Sequence, residues 1–345
     1  MARPVVHIGY HKTATTWFQE EVYPKAISHR WIPRALARDS LLKPYGCSFD
    51  AGKTRARLSD DADPRPPVIC EENLSGYIHN GGLHGLMAPE AARRIKATFP
   101  DALVVIVIRG QPEMIASTYV QYVRGGGTFG VRRYLFGGRW SLGALQHPYK
   151  APRFDFGHFE YDRLVAYYDT LFGSENVLVL PYEELCRSPE AFLATLACQA
   201  ELEFEGEPPS RKRSNVSFGR FTIAVARLLG LFTSRSVVNK TVLLSIPGFY
   251  EIRRLVLKGL GRFDRAASAK AILGQEHLAG IQRHYVESNS RLLALRGLKL
   301  RELGYPVDLV SRQTPAEQKT GPSPIRSSAL FKWSQDFRGD GGELR

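Results

Sequence analysis

The chain opens on a short apolar run, Val5-Val6-His7-Ile8, which stops at Gly9 and gives way to threonines before a mixed run from Trp17 to Val22. A β-rich run, a glycine and then a segment at helical spacing predict strand, tight turn and helix. Between about Ser28 and Pro67 no period is sustained, and the Asp- and Pro-dense stretch from Ser59 to Pro67 reads as a loop. Val68-Ile69-Cys70 is a second short apolar run, closing on Glu71 and Glu72. A helical pattern over Pro89 to Phe99 leads to Leu103-Val104-Val105-Ile106-Val107-Ile108, whose unbroken hydrophobicity predicts a strand buried on both faces. Pro112 and the glycines Gly125 to Gly127 bracket a helix over Glu113 to Arg124. A helix over Tyr161 to Phe172, a strand over Val177 to Leu180 and a helix over Pro189 to Leu202 come next. Strands alternating with helices predict an α/β fold, a central parallel sheet flanked by helices, with ligands at the carboxyl ends of the strands.

After Pro209 the pattern changes to basic helices, over Phe221 to Phe232, Tyr250 to Leu260 and Gln275 to Leu295. From about Ser311 the chain is rich in Ser, Pro, Gly, Gln and charge without a period, the composition of a flexible tail. The expected organisation is one domain over 1–310, an α/β core at 1–208 and a basic helical part at 209–310 that closes the site, with the tail at 311–345.

Charge obeys the same division. The whole chain carries 47 Lys and Arg against 34 Asp and Glu, a net +13. From Pro209 onward there are 24 basic and 10 acidic residues, net +14, which leaves 23 and 24, net −1, before it. An excess confined to one region points to an anionic partner there: nucleic acid, anionic lipid, or a phosphorylated or sulfated small molecule. Hydrophobic residues at 43% and charged residues at 23% exclude collagen-like, disordered and disulfide-scaffold classes. Cys47, Cys70, Cys186 and Cys198 show no metal-ligand spacing and are read as reduced core thiols. The first apolar run is too short for a signal-peptide core and no uncharged stretch has spanning length, so the expectation is a soluble, cytoplasmic protein.

The turn after the first strand, Gly9-Tyr10-His11-Lys12-Thr13-Ala14-Thr15-Thr16, has the parts of an anion cradle. Glycine permits a sharp turn, the next amides point with the helix start at one spot, and Lys12 and the threonine hydroxyls add charge and donors. An ordinary Thr-capped helix with a solvated lysine has the same parts. The glycine spacing and closing Gly-Lys-Ser/Thr of the nucleotide-triphosphatase loop are missing. A second constellation stands where such a site needs it: Arg109 at the end of the central strand, and Ser117 eight residues on in the next helix. An arginine fork and a hydroxyl suit a phosphate monoester.

The stretch His7 to Thr16 resembles the 5′-phosphosulfate loop of the sulfotransferases that use 3′-phosphoadenosine 5′-phosphosulfate (PAPS), and Arg109 to Ser117, with Tyr119, resembles their 3′-phosphate motif. The likeness continues through Phe159 to Leu164, Leu178 to Leu185, Arg211 to Ser217 and Tyr285 to Asn289. Together these are similar to the bacterial carbohydrate-type branch over roughly residues 4 to 307. The resemblance implies a P-loop-like sulfotransferase fold, PAPS as donor with adenosine 3′,5′-bisphosphate (PAP) as product, no metal, and a hydroxyl acceptor, expected to be a carbohydrate. It implies that Lys12 touches the oxygen bridging phosphorus and sulfur, that His11, Thr13, Ala14, Thr15 and Thr16 surround the 5′-phosphate, and that Arg109 and Ser117 hold the 3′-phosphate. Arg211, Lys212 and Arg213 would close over the nucleotide. The family has Gly where this chain has Ala14, which a negative φ would accommodate.

The acceptor hydroxyl needs a general base. Strand alternation sends Glu71 and Glu72 to opposite faces, so only one can reach the crevice. The Leu74-Ser75-Gly76 segment, similar to that of family members, favours Glu72, with Glu71 and His79 as alternatives. His7 and His11 flank the cradle, and a histidine on a strand is more often structural. The apolar residues of the last third, among them Phe221, Leu228, Leu229, Phe232, Leu243 and Phe249, read as core or lid; interleaved with Arg220, Arg227 and Arg235, they are also compatible with contact to an anionic membrane surface or a polyanionic acceptor. Nucleic acid is not an expected partner. A small-molecule kinase and a non-enzymatic polyanion-binding module are the competing functions.

Overall fold

Among the described residues five strands form one sheet: β1 (Val5–Gly9), β2 (Arg30–Trp31), β3 (Pro67–Cys70), β4 (Leu103–Ile108) and β5 (Val177–Pro181). Their order is β2-β3-β1-β4-β5 and every neighbouring pair is parallel. The structure is a computed structural model that describes residues 2–78, 87–137, 154–206, 218–234, 237 and 240–308. From β1 the chain leaves toward β2 and β3, then crosses back to β4 and β5 on the other side. The strand order therefore reverses at β1, and the crevice of an open parallel sheet lies at such a reversal, outside the carboxyl ends.

Alternation along the strands serves two cores. Val104, Ile106 and Ile108 of β4 join Val6 and Ile8 on one face, while Leu103, Val105 and Val107 join Val5 on the other. Both faces are sealed, which is why β4 reads as an unbroken apolar run. Helices Met87–Thr98, Gln111–Arg124, Tyr161–Phe172 and Pro189–Ala200 cover them, within two residues of the patterned bounds.

Two expectations need correction. The stretch from Ser28 to Pro67 holds the edge strand β2, a helical segment from Arg34 to Leu42 and a helix at Ala51–Leu58 capped by Asp50 through the Lys53 amide. These elements are short and lie at the sheet edge, so their periodicity is weak. Of the four cysteines only Cys70 is buried; Cys47, Cys186 and Cys198 are exposed, the latter two on outward faces of helices.

The long helix Gln275–Arg296 is fastened to the core by polar groups. Gln111 and Asn289, both buried, exchange side-chain hydrogen bonds of 2.7 and 3.0 Å, the Tyr285 hydroxyl donates to the Phe156 carbonyl at 2.8 Å, and Ser288 and Arg291 both bind Asp162. The likeness over Tyr285 to Asn289 thus falls on a helix-to-core joint.

His7 on β1 is wedged against Phe18 and Tyr23, its Nδ1 3.0 Å from the Tyr23 hydroxyl. Burial pushes its imidazole down to about 3, and that of His158 down to about 4. Both are neutral in the folded chain and protonate near 6.5 once unfolded. Between those limits the unfolded state binds more protons, so stability falls as pH is lowered from 6.5 toward 4, by up to about 1.4 kcal/mol per pH unit for each histidine. Urea unfolding at pH 7, 5.5 and 4.5 should show this slope, and His7→Gln should flatten it; identical slopes for the two proteins contradict neutral burial of His7.

Candidate active site

The cradle begins where the β1–β4 ladder shifts register between His7 and Gly9. An irregularity of this kind bends the strand and re-aims the residues beyond it. Gly9 has φ 111°, and a Cβ there would sit 3.2 Å from both the Glu72 Cα and the Ser75 Oγ. Only glycine lets the end of β1 lie against the turn after β3. The Tyr10 amide still donates to the Val107 carbonyl at 2.8 Å, which ties the turn to β4. Lys12 (φ 63°) and Ala14 (φ 67°) are left-handed on either side of Thr13. Ala14 therefore does not adopt the negative φ expected of it; the alternation of handedness turns successive N–H groups to one side, the geometry of an anion-binding concavity.

The threonines divide. Thr13, fully buried, donates its hydroxyl to the Tyr10 carbonyl at 2.5 Å and closes the turn from within. Thr15 is buried and Thr16 exposed, at the start of helix Thr15–Trp17. His11 lies 3.1 Å from Asn73 Oδ1 through Nε2, and burial pushes its pKa down to about 3, so it is a neutral ring linking the cradle to the turn after β3.

Cations gather around this turn. Arg109 donates from Nη1 to the Lys12 carbonyl at 3.1 Å and stacks over the Tyr182 ring at 5.0 Å. Lys12 Nζ donates to Gln121 Oε1 at 2.8 Å. Desolvation, then the charges of Arg124 and Arg109, push the Lys12 ammonium down to about 8. Among the described residues no carboxylate forms an ion pair with Lys12 or Arg109. Ser117 stands one helical turn before Gln121, and Arg124 one turn after it, on the less buried face of helix Gln111–Arg124. The Arg109–Gly110 turn is gripped from two sides: Tyr161 donates to the Arg109 carbonyl at 2.7 Å, and the Gly110 amide donates to Glu183 Oε1 at 3.0 Å.

The two glutamates are joined, not separated. β3 ends at Cys70; Glu71 caps the 3-10 turn Glu72–Ser75 through the Asn73 amide, and Arg34 binds both carboxylates. The alternation argument fails because the strand has already ended. Glu71, fully buried, accepts from Arg34, Arg38, the Asn73 amide and the Asn73 side chain, filling both oxygens. Glu72 accepts from Arg34 and from Gln19 Nε2 at 2.9 Å, keeps some exposure, and its Cα is the atom a side chain at Gly9 would touch.

Residues 48–206 match the model of the sulfotransferase family. The match spans a little under half of the chain. It contains Glu71, Glu72, Arg109 and Ser117, while the Lys12 turn precedes it. The crystal structure of a sulfotransferase from Alicyclobacillus acidocaldarius aligns with TM-score 0.43 and 19% identity over 62% of this chain and 87% of that one. No curated protein matches in sequence.

Of the residues expected at the site, Lys12, His11, Thr13 to Thr16, Arg109 and Glu72 come to one end of the sheet, and Ser117 shares a helix face with Gln121. His79 and the triplet Arg211, Lys212 and Arg213 lie outside the described residues. Gln19, Arg34, Gln121 and Arg124 are site residues that the sequence reasoning missed. For Gln121 and Arg124 a signal existed, since they stand at i+4 and i+7 from Ser117. Arg34 lay in the stretch without period and offered none.

The backbone of the cradle is testable by stability. Ala14→Gly removes a left-handed alanine and should raise unfolding free energy by about 1 kcal/mol. Gly9→Ala forces Cβ into backbone at a positive φ and should lower the melting temperature clearly. An Ala14→Gly protein less stable than wild type contradicts the conformation at position 14.

Proposed function

We propose that the chain transfers a sulfuryl group from PAPS to a hydroxyl acceptor, a carbohydrate in the reading that the sequence resemblance favours. The observation that carries this is the gathering of Lys12, Arg109 and Arg124 at the strand-order reversal, where burial and repulsion hold Lys12 near pKa 8. Like charges concentrated there call for a multiply charged anion, and a nucleotide with phosphates at both ends supplies one. The amides after Gly9 fit a phosphate. Arg109, beside the Lys12 carbonyl, and Ser117, on the adjoining helix face, are candidates for the far phosphate. Arg211, Lys212 and Arg213 are assigned to closure over the nucleotide from the resemblance.

PAPS brings a sulfur–oxygen bond whose cleavage leaves negative charge on a phosphate oxygen. Lys12, positioned by Gln121, stabilises that developing charge more in the transition state than before it. The acceptor oxygen bonds to sulfur, the bond to the bridging oxygen breaks to release PAP, and Glu72 takes the hydroxyl proton. Glu71 keeps its oxygens occupied and, with Arg34, holds Glu72 in place. A kinase reading is less well supported, since the longer glycine loop is lacking.

Binding separates the two readings: PAP without metal should raise the melting temperature, and stabilisation only by ATP with Mg²⁺ refutes PAPS use. Lys12→Ala should reduce kcat/KM by roughly 10²–10³-fold with the fold intact. In the free enzyme kcat/KM should fall above about pH 8 as Lys12 loses its proton, and Lys12→Arg should abolish that limb. A Lys12→Arg profile identical to wild type assigns the limb elsewhere. Glu72→Gln should keep PAP stabilisation while kcat drops by roughly 10²–10⁴-fold; undiminished turnover transfers the role to Glu71 or His79.

A further inference from the structure

The basic helical part carries a surface that transfer does not use. Among the described residues fourteen large hydrophobic side chains are exposed, and ten of them fall between Phe221 and Phe263. Of the apolar residues singled out in the sequence, Phe221, Leu228 and Leu243 are exposed, while Leu229, Phe232 and Phe249 are half-buried. Helix Arg220–Gly230 turns Ile223 and Ala226 inward and carries Phe221 and Leu228 on an outer stripe, 62% and 59% exposed. At its amino end Asp264 accepts from the Thr222 amide at 2.7 Å, which brings Phe263 to that end. At its carboxyl end the amides of Leu243 and Leu244 both donate to the Leu231 carbonyl, fixing two outward leucines, 68% and 60% exposed.

The second helix, Phe249–Leu260, is anchored through buried Arg253, whose guanidinium donates to the carbonyls of Val123, Arg124 and Ala226. With Arg253 and Leu257 facing in, its Ile252, Leu255 and Val256 form an exposed apolar stripe at i, i+3 and i+4, and Arg254 and Lys258 lie on the next sector. Each helix thus spends one side on the fold and offers a second apolar side to the outside.

The charge around these stripes identifies the occupant. From Arg220 to Arg265 there are, besides the buried Arg253, eight basic residues against Glu251 and Asp264. Asp264 is engaged with Thr222, and Glu251 pairs with Arg254 at 3.0 Å. A second copy of the chain would set this positive surface against itself. A soluble polyanion would leave the leucines in water. A surface that is apolar at its contact level and anionic just above it satisfies both.

We propose that the outward faces of helices Arg220–Gly230 and Phe249–Leu260, with Leu243 and Leu244 between them, dock on the interface of an anionic lipid bilayer. The apolar stripes enter the boundary of the acyl region and the arginines and lysines meet the headgroups.

The test is flotation of the full-length protein with vesicles of phosphatidylcholine containing phosphatidylglycerol, and with phosphatidylcholine alone. The protein should float with anionic vesicles, with apparent affinity about tenfold lower on neutral ones, and release as salt is raised. Leu243→Ser combined with Leu255→Ser leaves charge unchanged and should lower affinity about tenfold with the same melting temperature. Arg254→Gln with Lys258→Gln should do likewise on anionic vesicles only. Failure to float overturns the proposal. So does undiminished flotation of the serine variant, which means plain electrostatic adsorption, and so does a solution dimer that the serine variant dissolves, which makes the occupant a second copy.

Discussion

Among the described residues, Lys12 and Arg109 at the end of β1 are held by groups that carry no charge. Lys12 rests on an amide oxygen of Gln121, and Arg109 on a backbone carbonyl and the face of Tyr182. Arg124 presses its charge on Lys12 from the same helix as Gln121. A protein seeking stability alone would place a carboxylate among them, because paired charge lowers the cost of burial. Here the repulsion is left standing and adds to the larger effect of burial in depressing the pKa of Lys12. The surrounding architecture sustains it: β1 between β3 and β4, Gly9 allowing the strand end to touch the Glu72 turn, Tyr161 and Glu183 gripping the base of Arg109.

The carboxylates are treated in the opposite way. Glu71 is saturated by two arginines and an asparagine, so its role is to hold a turn. Glu72 shares one of those arginines, accepts from Gln19 and stays partly open. Neighbouring residues of one type thus differ in how far they are saturated, by the number of donors each meets.

The sheet and the cradle were legible because their signals are local. An unbroken run such as Leu103–Ile108 reads as a strand sealed on both sides, and a glycine leading to Lys and Thr between strand and helix marks a tight, cation-bearing turn within ten residues of chain. The hidden features depend on distant partners. Arg34 and Arg38 reach Glu71 across more than thirty residues from a segment with no period. The true end of β3 is set by a cap that Glu71 makes to Asn73, which no alternation rule contains. The left-handed Ala14 breaks a local propensity, as functional turns do when tertiary contacts over-determine them. The outward leucines of the last third stayed ambiguous for a related reason: amphipathicity tells that a stripe is apolar and leaves open which of two sides the fold covers.

Arg253 joins matters that the chain keeps far apart. Its guanidinium collects carbonyls from the last turn of the helix bearing Ser117 and Gln121 and from the helix bearing Phe221 and Leu228. One planar fork therefore ties helix Phe249–Leu260 to both helix Gln111–Arg124 and helix Arg220–Gly230. The end of the sheet that bears Lys12 and the outward apolar stripes thus share one rigid frame, so a plane that met the stripes would meet the strand ends at a set tilt.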